Sequence, residues 1–355
     1  MTVFDELAET DGDIECKNWI SKVIDAKKEI VAFVSSKREG NPPGEFDAYL
    51  KGSFNLALVV KFNDGGPKAV IRFPKPGHTA KNLRDEKVRN EVEVLQLLRN
   101  KTTIPVPRVT AWGYTSDSPQ RLGPFIIMEY IDGVSLATLL KQPTKTEQDE
   151  VILATDIDES KLDFVYGQLA DYMLQLSELR FGLIGAITKL QPFDKWIAYG
   201  RPLTYNMNEL STVVCNYPTT GFPKTSFTTA KDYLNHLADE HLVHLYTQRN
   251  LANSREEAKK RYIARHRFKK LVDRYCLDDS SSYEGRGCYA GPFRLYCDDL
   301  QPSNMLADPE TLRITAVLDW EFTNAMPAQF AFDPPSWLLF LDRICGSSII
   351  LWGSL

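Results

Sequence analysis

The stretch "LYCDDLQPSNMLADPETLRITAVLDWEF", residues 295–322, places Asp298, Asp299, Asn304 and Asp319 in short order. Two carboxylate or amide oxygens converging on one point suit a hard, partly hydrated cation that also binds phosphate, which means magnesium better than zinc. A further carboxylate beside them can orient a hydroxyl and take its proton. Asp298 and Asp299 are adjacent, so in extended chain they point to opposite sides and cannot be the facing acid and base of a glycosidase. Asn304 lies across a turn containing Pro302, and Asp319 ends the apolar run "ITAVL", where its carboxylate emerges at a strand terminus.

A loop Asp, an Asn five residues later and a second Asp opening the next motif are the parts that protein kinases use for phosphoryl transfer. With these residues the sequence resembles the aminoglycoside phosphotransferase and choline kinase-type family, its fungal branch in particular, which is built on the protein-kinase-like fold. The family pattern H-G-D-L-x-P-x-N reads "CDDLQPSN" here, with Cys297 in place of the His and Asp298 in place of the Gly, and the following D-W/F-E/D reads "LDWEF". The resemblance implies Asp299 as catalytic base, Asn304 and Asp319 as metal ligands, ATP and Mg2+ as cofactors, and a small-molecule hydroxyl as acceptor. It reaches back into the first part of the chain. There "KGSFN" supplies a phosphate-covering turn with Gly52, Ser53 and Asn55; "AVIRF" supplies Arg72 to contact phosphates; and "RNEVEVL" supplies Glu91 to pair with Arg72. Val70 shares a strand face with Arg72 and is expected to line the adenine pocket. "IIMEYIDG" resembles the segment joining the lobes, with Met128, Glu129, Tyr130 and Ile131 beside the adenine.

Elements must position these residues. Residues 16–36, with Trp19, Val23, Ile30 and Val34 at helical spacing, predict an N-terminal helix that "REGNPPGE" stops. "FNLALVVKF", the turn "NDGG" and "KAVIRFP" predict two antiparallel strands. "AKNLRDEKVRNEVEVLQLLRN" predicts a helix with Val88, Val92, Leu95 and Leu98 on one side, and "IPVPRVTAWGY" and "PFIIMEYI" predict further strands. From about residue 134 the pattern is mainly helical until "FRLYC", "NMLAD" and "RITAVLD" restore short strands. The expected fold class is α+β, a two-lobed kinase-like fold. Residues 1–46 form a helical extension, 47–132 a small antiparallel nucleotide-binding lobe, and 133–355 a larger helical catalytic and substrate lobe. The family continues for several helices after "DPP", so this lobe is expected to be short, with apolar surface exposed near Trp337, Leu338 and Phe340.

Composition narrows the functional classes. The 42 Lys+Arg against 47 Asp+Glu give a net charge of −5, which argues against a general nucleic-acid binder. No run of eighteen uncharged apolar residues predicts a membrane span, and the acidic opening lacks signal- or transit-peptide order, so the expected compartment is the cytoplasm. Six scattered cysteines without a C-x-x-C pair read as free thiols. "HLADEHLVH" carries His236, Glu240, His241 and His244 but is not H-E-x-x-H, and reads as an ordinary helix rather than a zinc site.

Three features favour a second class, a kinase-like module that binds nucleotide or a partner without turnover. Arg72 stands where the family has a Lys, and its forked guanidinium differs in shape from an ammonium. Cys297 cannot replace the hydrogen bonds of a loop-bracing His. The "KGSFN" turn has a single glycine. A protein kinase is the weaker alternative, because "IRFP" and "DWEF" replace its strand Lys and D-F-G and no A-P-E follows.

Overall fold

The computed structural model describes residues 5–141, 153–154, 156–248, 250–275, 291–333 and 335. The region around Trp337, Leu338 and Phe340 lies outside the described residues.

The chain opens with two helices rather than one, α1 (Glu6–Asp25) and α2 (Lys27–Ser36), and begins the first of them ten residues earlier than the apolar spacing predicts. Asp5 caps α1 by accepting from the Leu7 and Ala8 amides, a start signal that the apolar spacing cannot show. Ala26, with ψ near 2°, separates the two helices. Strand β1 (Gly44–Lys51), absent from the expected elements, then begins inside the segment assigned to the extension. Its burial pattern is only half-buried and its Glu45, Asp47 and Lys51 mask the alternation, as befits the sheet's edge. β2 (Asn55–Phe62) and β3 (Ala69–Pro74) form the predicted antiparallel pair, with Ala57 opposite Arg72 and Val59 opposite Val70.

Helix α3 (Arg84–Lys101) crosses this sheet, which is completed by β4 (Val109–Gly113) and β5 (Phe125–Glu129) in the order β1-β2-β3-β5-β4. Both sheet faces are covered, so β2 is buried almost throughout instead of on alternate residues. Leu56, Leu58, Val60 and Phe62 pack against Trp19, Val23, Ile30 and Val34 of α1 and α2. Ala57, Val59 and Val70 pack against Val88 and Val92 of α3. The extension is thus a layer of the small lobe. Its α1 is seated by a backbone approach at Gly77 (φ +82), where a Cβ would lie 2.0 Å from the Gly12 carbonyl oxygen.

Beyond the hinge come β6 (Val134–Ser135), α4 (Leu136–Leu140), α5 (Glu159–Glu178), β7 (Arg180–Phe181) and a hairpin β8 (Ala186–Leu190) and β9 (Lys195–Gly200). α6 (Tyr205–Thr212), α7 (Ala230–Thr247) and α8 (Arg255–Tyr275) follow. The chain then forms β10 (Phe293–Tyr296), β11 (Met305–Ala307), β12 (Ile314–Val317), β13 (Asn324–Met326) and α9 (Ala328–Phe332). β11 pairs with both β12 and β6, and β10 with both β13 and β7, so the short strands that carry the polar motif are held by partners from the start of the lobe. Phe293, Leu295, Met305, Val317 and Trp320 enter one core with Leu98, Leu136 and Leu169. A rigid floor results beneath the loops that follow β10 and β12. Among the described residues no helix is long and apolar enough to cross a membrane.

Candidate active site

The loop after β10 turns tightly around Asn304, and this fixes Asp299. The Asn304 amide nitrogen donates to the Asp299 carboxylate at 2.7 Å and to its carbonyl at 2.9 Å, leaving the Asn304 amide oxygen as the free acceptor of that side chain. Gln301 donates to the other Asp299 oxygen. Asp299 touches solvent while protein crowds it on most sides. Loss of hydration there, with a smaller contribution from Glu321, raises its pKa against the opposing hydrogen bonds. A carboxylate so placed is a stronger base than one in open water.

Asp319 begins the loop after β12 in the left-handed region (φ +62), and Phe322 returns there (φ +59). Non-glycine residues in this region cost about 1–3 kcal/mol each and persist where the surroundings enforce them. Trp320 enforces this turn: it is buried, and its indole N–H donates to the Val317 carbonyl at 3.0 Å. The turn aims Asp319 at Arg72, whose guanidinium it meets at 2.9 Å. Arg72 also forms an ion pair with Glu91, the pairing that the family resemblance implies. The backbone joins the two loops directly, since the Leu318 amide donates to the Asn304 carbonyl at 2.8 Å.

A second cation escaped the sequence reading. Lys87 is 1% exposed and forms an ion pair with Glu321, which also accepts from the Asn55 amide at 2.8 Å. Lys87 precedes Glu91 by one helical turn, so both sit on the face of α3 that looks toward the polar loops. The signal was present in "EKVRNE" and "DWEF", but a lone lysine on a charged helix does not announce its partner. Burial pushes Asp319 up, as does the Glu321 charge, while Arg72 pulls it down. Three carboxylates (Glu91, Asp319 and Glu321) therefore share two cations, and the surplus negative charge favours a further cation. Asp319 and the Asn304 amide oxygen are hard donors suited to magnesium. Among the described residues no group of three or more His, Cys, Asp and Glu side chains forms a metal site, so water and phosphate oxygens must complete such a shell.

Gly52 and Ser53 form the exposed tip of the β1–β2 turn, and Asn55 at its base is buried. Val70 and Met128 are paired across β3 and β5 in the same apolar cluster. Glu129, Tyr130 and Ile131 run through the hinge. The Glu129 carboxylate accepts from the Arg108 amide at 2.8 Å, so its side chain braces the hinge. Tyr130 bonds the Lys68 carbonyl through its backbone amide at 3.1 Å.

Cys297 directly follows β10, at the start of the loop that carries Asp299. It is buried, its thiol is pushed up to about 12 chiefly by burial, and it makes a long contact of 3.9 Å to the Asp319 carbonyl. It therefore braces the two loops weakly. Asp298 touches solvent beside the Tyr296 hydroxyl; crowding and the Asp299 charge raise its carboxyl to about 6. On α7, His236 contacts Glu240 at 3.1 Å and His244 contacts Gln248 and Arg265, all in helix-packing roles.

Glu209 on α6 is a buried carboxyl next to this site, beside the Tyr205 hydroxyl, and burial raises it from its ordinary 4.5 to about 7. A raised folded-state pKa means that the folded chain holds the proton longer than the unfolded one. Stability is therefore highest below about pH 4.5 as far as this group is concerned, and falls by up to roughly 3 kcal/mol as pH rises through about 7. Glu209→Gln is expected to raise the melting temperature at about pH 8 and to leave it nearly unchanged at about pH 5. Equal shifts at both pH values would show that ionisation of Glu209 is not the cause.

The small antiparallel lobe hinged to a helical lobe, with its polar loops facing the β3–α3 ion pair, is a kinase-like fold. Residues 52–155 match the model of the phosphotransferase enzyme family (APH). Two curated relatives are fungal. Clavilactone A biosynthesis cluster protein Y of Ampulloclitocybe clavipes is 25% identical over 306 residues, 83% of this chain and 65% of that protein. Altered inheritance of mitochondria protein 9 of Saccharomyces cerevisiae, a mitochondrial protein, is 28% identical over 118 residues, 33% of this chain and 17% of that protein. The chain thus spans less than two thirds of the length of either. Among solved structures, an aminoglycoside phosphotransferase of Streptomyces rimosus is similar at a TM-score of 0.39 and 14% identity, over 85% of this chain and 79% of that one.

Proposed function

We propose that this chain is an ATP-dependent phosphotransferase that moves the γ-phosphoryl group to a hydroxyl of a small molecule. The observation that carries this reading is the meeting of Asp299 and Asn304 with the Asp319–Arg72–Glu91 chain of contacts. Asp299 takes the hydroxyl proton as the acceptor oxygen forms its bond to phosphorus and the bond to the β-phosphate oxygen breaks, releasing ADP. Asn304 keeps the Asp299 carboxylate aimed at that proton. Arg72, held by Glu91, places two N–H donors toward the phosphates; its fork serves two oxygens where a lysine serves one point. Asn304 and Asp319 would hold Mg2+, which supplies charge neutralisation for the phosphates. Gly52, Ser53 and Asn55 cover the phosphates, and Val70 with Met128 to Ile131 borders the adenine. A cytoplasmic place of action belongs to the same proposal.

The second reading, a module that binds nucleotide or a partner without turnover, is favoured by the Arg72–Asp319 ion pair, since the same carboxylate is needed for metal. Calorimetric titration with MgATP, followed by a screen of hydroxyl compounds for ADP release, separates the two. Asp319→Ala is expected to abolish the magnesium dependence of ATP binding. Failure of the unsubstituted chain to bind MgATP would remove both nucleotide-based readings and leave only the partner-binding module; unchanged magnesium dependence in the variant would remove Asp319 from the metal site.

A further inference from the structure

The β1–β2 turn is joined to the opposite lobe by ring contacts to which the proposed reaction assigns no role and by one of its phosphate-covering residues, Asn55. Phe54 at its base meets Tyr205 of α6 edge to face, with ring centroids 5.5 Å apart and planes at 86°. It meets Phe322 of the loop after β12 at 6.4 Å and 87°. Tyr205 and Phe322 close the triangle at 6.0 Å and 85°. The next residue, Asn55, donates to Glu321, so two neighbours on the turn grip two neighbours on the Asp319 loop. Lys87 ties the arrangement to α3, through Glu321 and by lying 5.5 Å from the centre of the Phe322 ring. Backbone bonds complete the base: the Lys75 amide donates to the Phe54 carbonyl at 2.8 Å, and the Gly52 amide to the Asn55 carbonyl at 3.0 Å. Gly52 and Ser53 alone remain as an exposed tip.

The geometry points to a clasp in which Phe54, Tyr205 and Phe322 act as positioning residues, seating the phosphate-covering turn on the Asp319 loop from the side opposite the hinge. Three mutually perpendicular rings from three separate segments have little freedom to slide, because each edge is aimed at a neighbour's face. The base of the turn is then set before any nucleotide arrives, and only its two-residue tip needs to adjust. Preorganisation of this kind strengthens binding by removing an ordering cost. The part of a nucleotide that feels it is the phosphate chain, since the adenine lies at the hinge. α6 thereby gains a role in a site from which it is distant in sequence. This inference rests on the phosphotransferase reading for its ligand, but the clasp itself can be measured without one.

The test compares MgATP with adenosine on the full chain and on Phe54→Ala, Tyr205→Ala and the double variant. The expected result is a roughly tenfold weaker MgATP affinity in each single variant, with adenosine affinity within about twofold of the parent chain. The double variant should be no weaker than the worse single one, because the two rings act as a unit. Amide hydrogen exchange of the free protein provides the arm that needs no nucleotide. Exchange at the Gly52 and Lys75 amides should quicken at least about tenfold in Phe54→Ala, while exchange in α3 and β5 stays as in the parent. Equal losses for MgATP and adenosine would reduce the rings to general core packing and overturn the proposal, as would exchange unchanged at the turn. If the parent chain binds no MgATP, the phosphotransferase reading falls and the positioning role falls with it; the exchange data would still decide whether the clasp holds the turn.

Discussion

Replacing Asp299 by Asn is expected to lower phosphoryl transfer by about 10²–10⁴-fold while leaving MgATP affinity within about twofold. Asn keeps the size of the side chain and one acceptor oxygen, so the Asn304 turn can persist, but it cannot take a proton. The parent carboxyl is well suited to that task because crowding raises its pKa, and the two amide donors hold it in one orientation. Steady-state kinetics with any acceptor that yields ADP, alongside calorimetry, would measure the two quantities separately. Should the parent chain bind MgATP and release no more ADP than the Asn variant with every hydroxyl compound tried, Asp299 is not a base and the binding-module reading stands.

The second large effect is expected at Lys87. Lys87→Ala should cost about 3–5 kcal/mol in unfolding free energy, because it leaves Glu321 as an uncompensated charge in a buried position. Burial alone would raise the Glu321 pKa; Lys87, and after it Arg72, outweigh burial and hold the carboxyl below its ordinary value. Removing Lys87 reverses that balance. A double variant, Lys87→Met with Glu321→Leu, removes both charges together and should recover most of the loss, since two apolar side chains of similar volume need no solvation. Urea denaturation of the three chains measures this. A Lys87→Ala chain within about 1 kcal/mol of the parent would mean that water reaches Glu321 and that the pair is not the buried tie described here.

Some of the site was legible because its parts are local. The six residues from Asp299 to Asn304 form a single turn, and in the structure the two side chains bond directly, so spacing and geometry express the same constraint. The β2–β3 hairpin was legible from its turn, and α3 from its apolar spacing, for the same reason. Glu91 stood at the limit of what could be read: its pairing with Arg72 was expected only from the family resemblance, because Glu86 and Glu93 on the same helix offer equal charges, and packing of α3 on the sheet selects it. Other features left weak signals or none. β1 hides its alternation behind charged residues at a sheet edge. α6 is eight residues long and flanked by irregular chain, and it gave no periodic signal strong enough to be noticed, although it carries both Tyr205 and Glu209.

By itself, then, the order of residues determined which groups were available near one another: carboxylates and an amide in the loops around Asp299, Asn304 and Asp319, and an arginine, Arg72, inside a predicted strand. These follow from short-range geometry, where chain connectivity leaves side chains few places to go. Only the tertiary structure decided how the charges are shared. Lys87 and Glu321 are 234 residues apart, Asn55 and Glu321 266, and Arg72 and Asp319 247. At such separations no local pattern selects a partner. The choice is made by which faces of α3, β2 and β3 are turned toward the polar loops once both sheet faces and the larger lobe's floor have buried their apolar side chains.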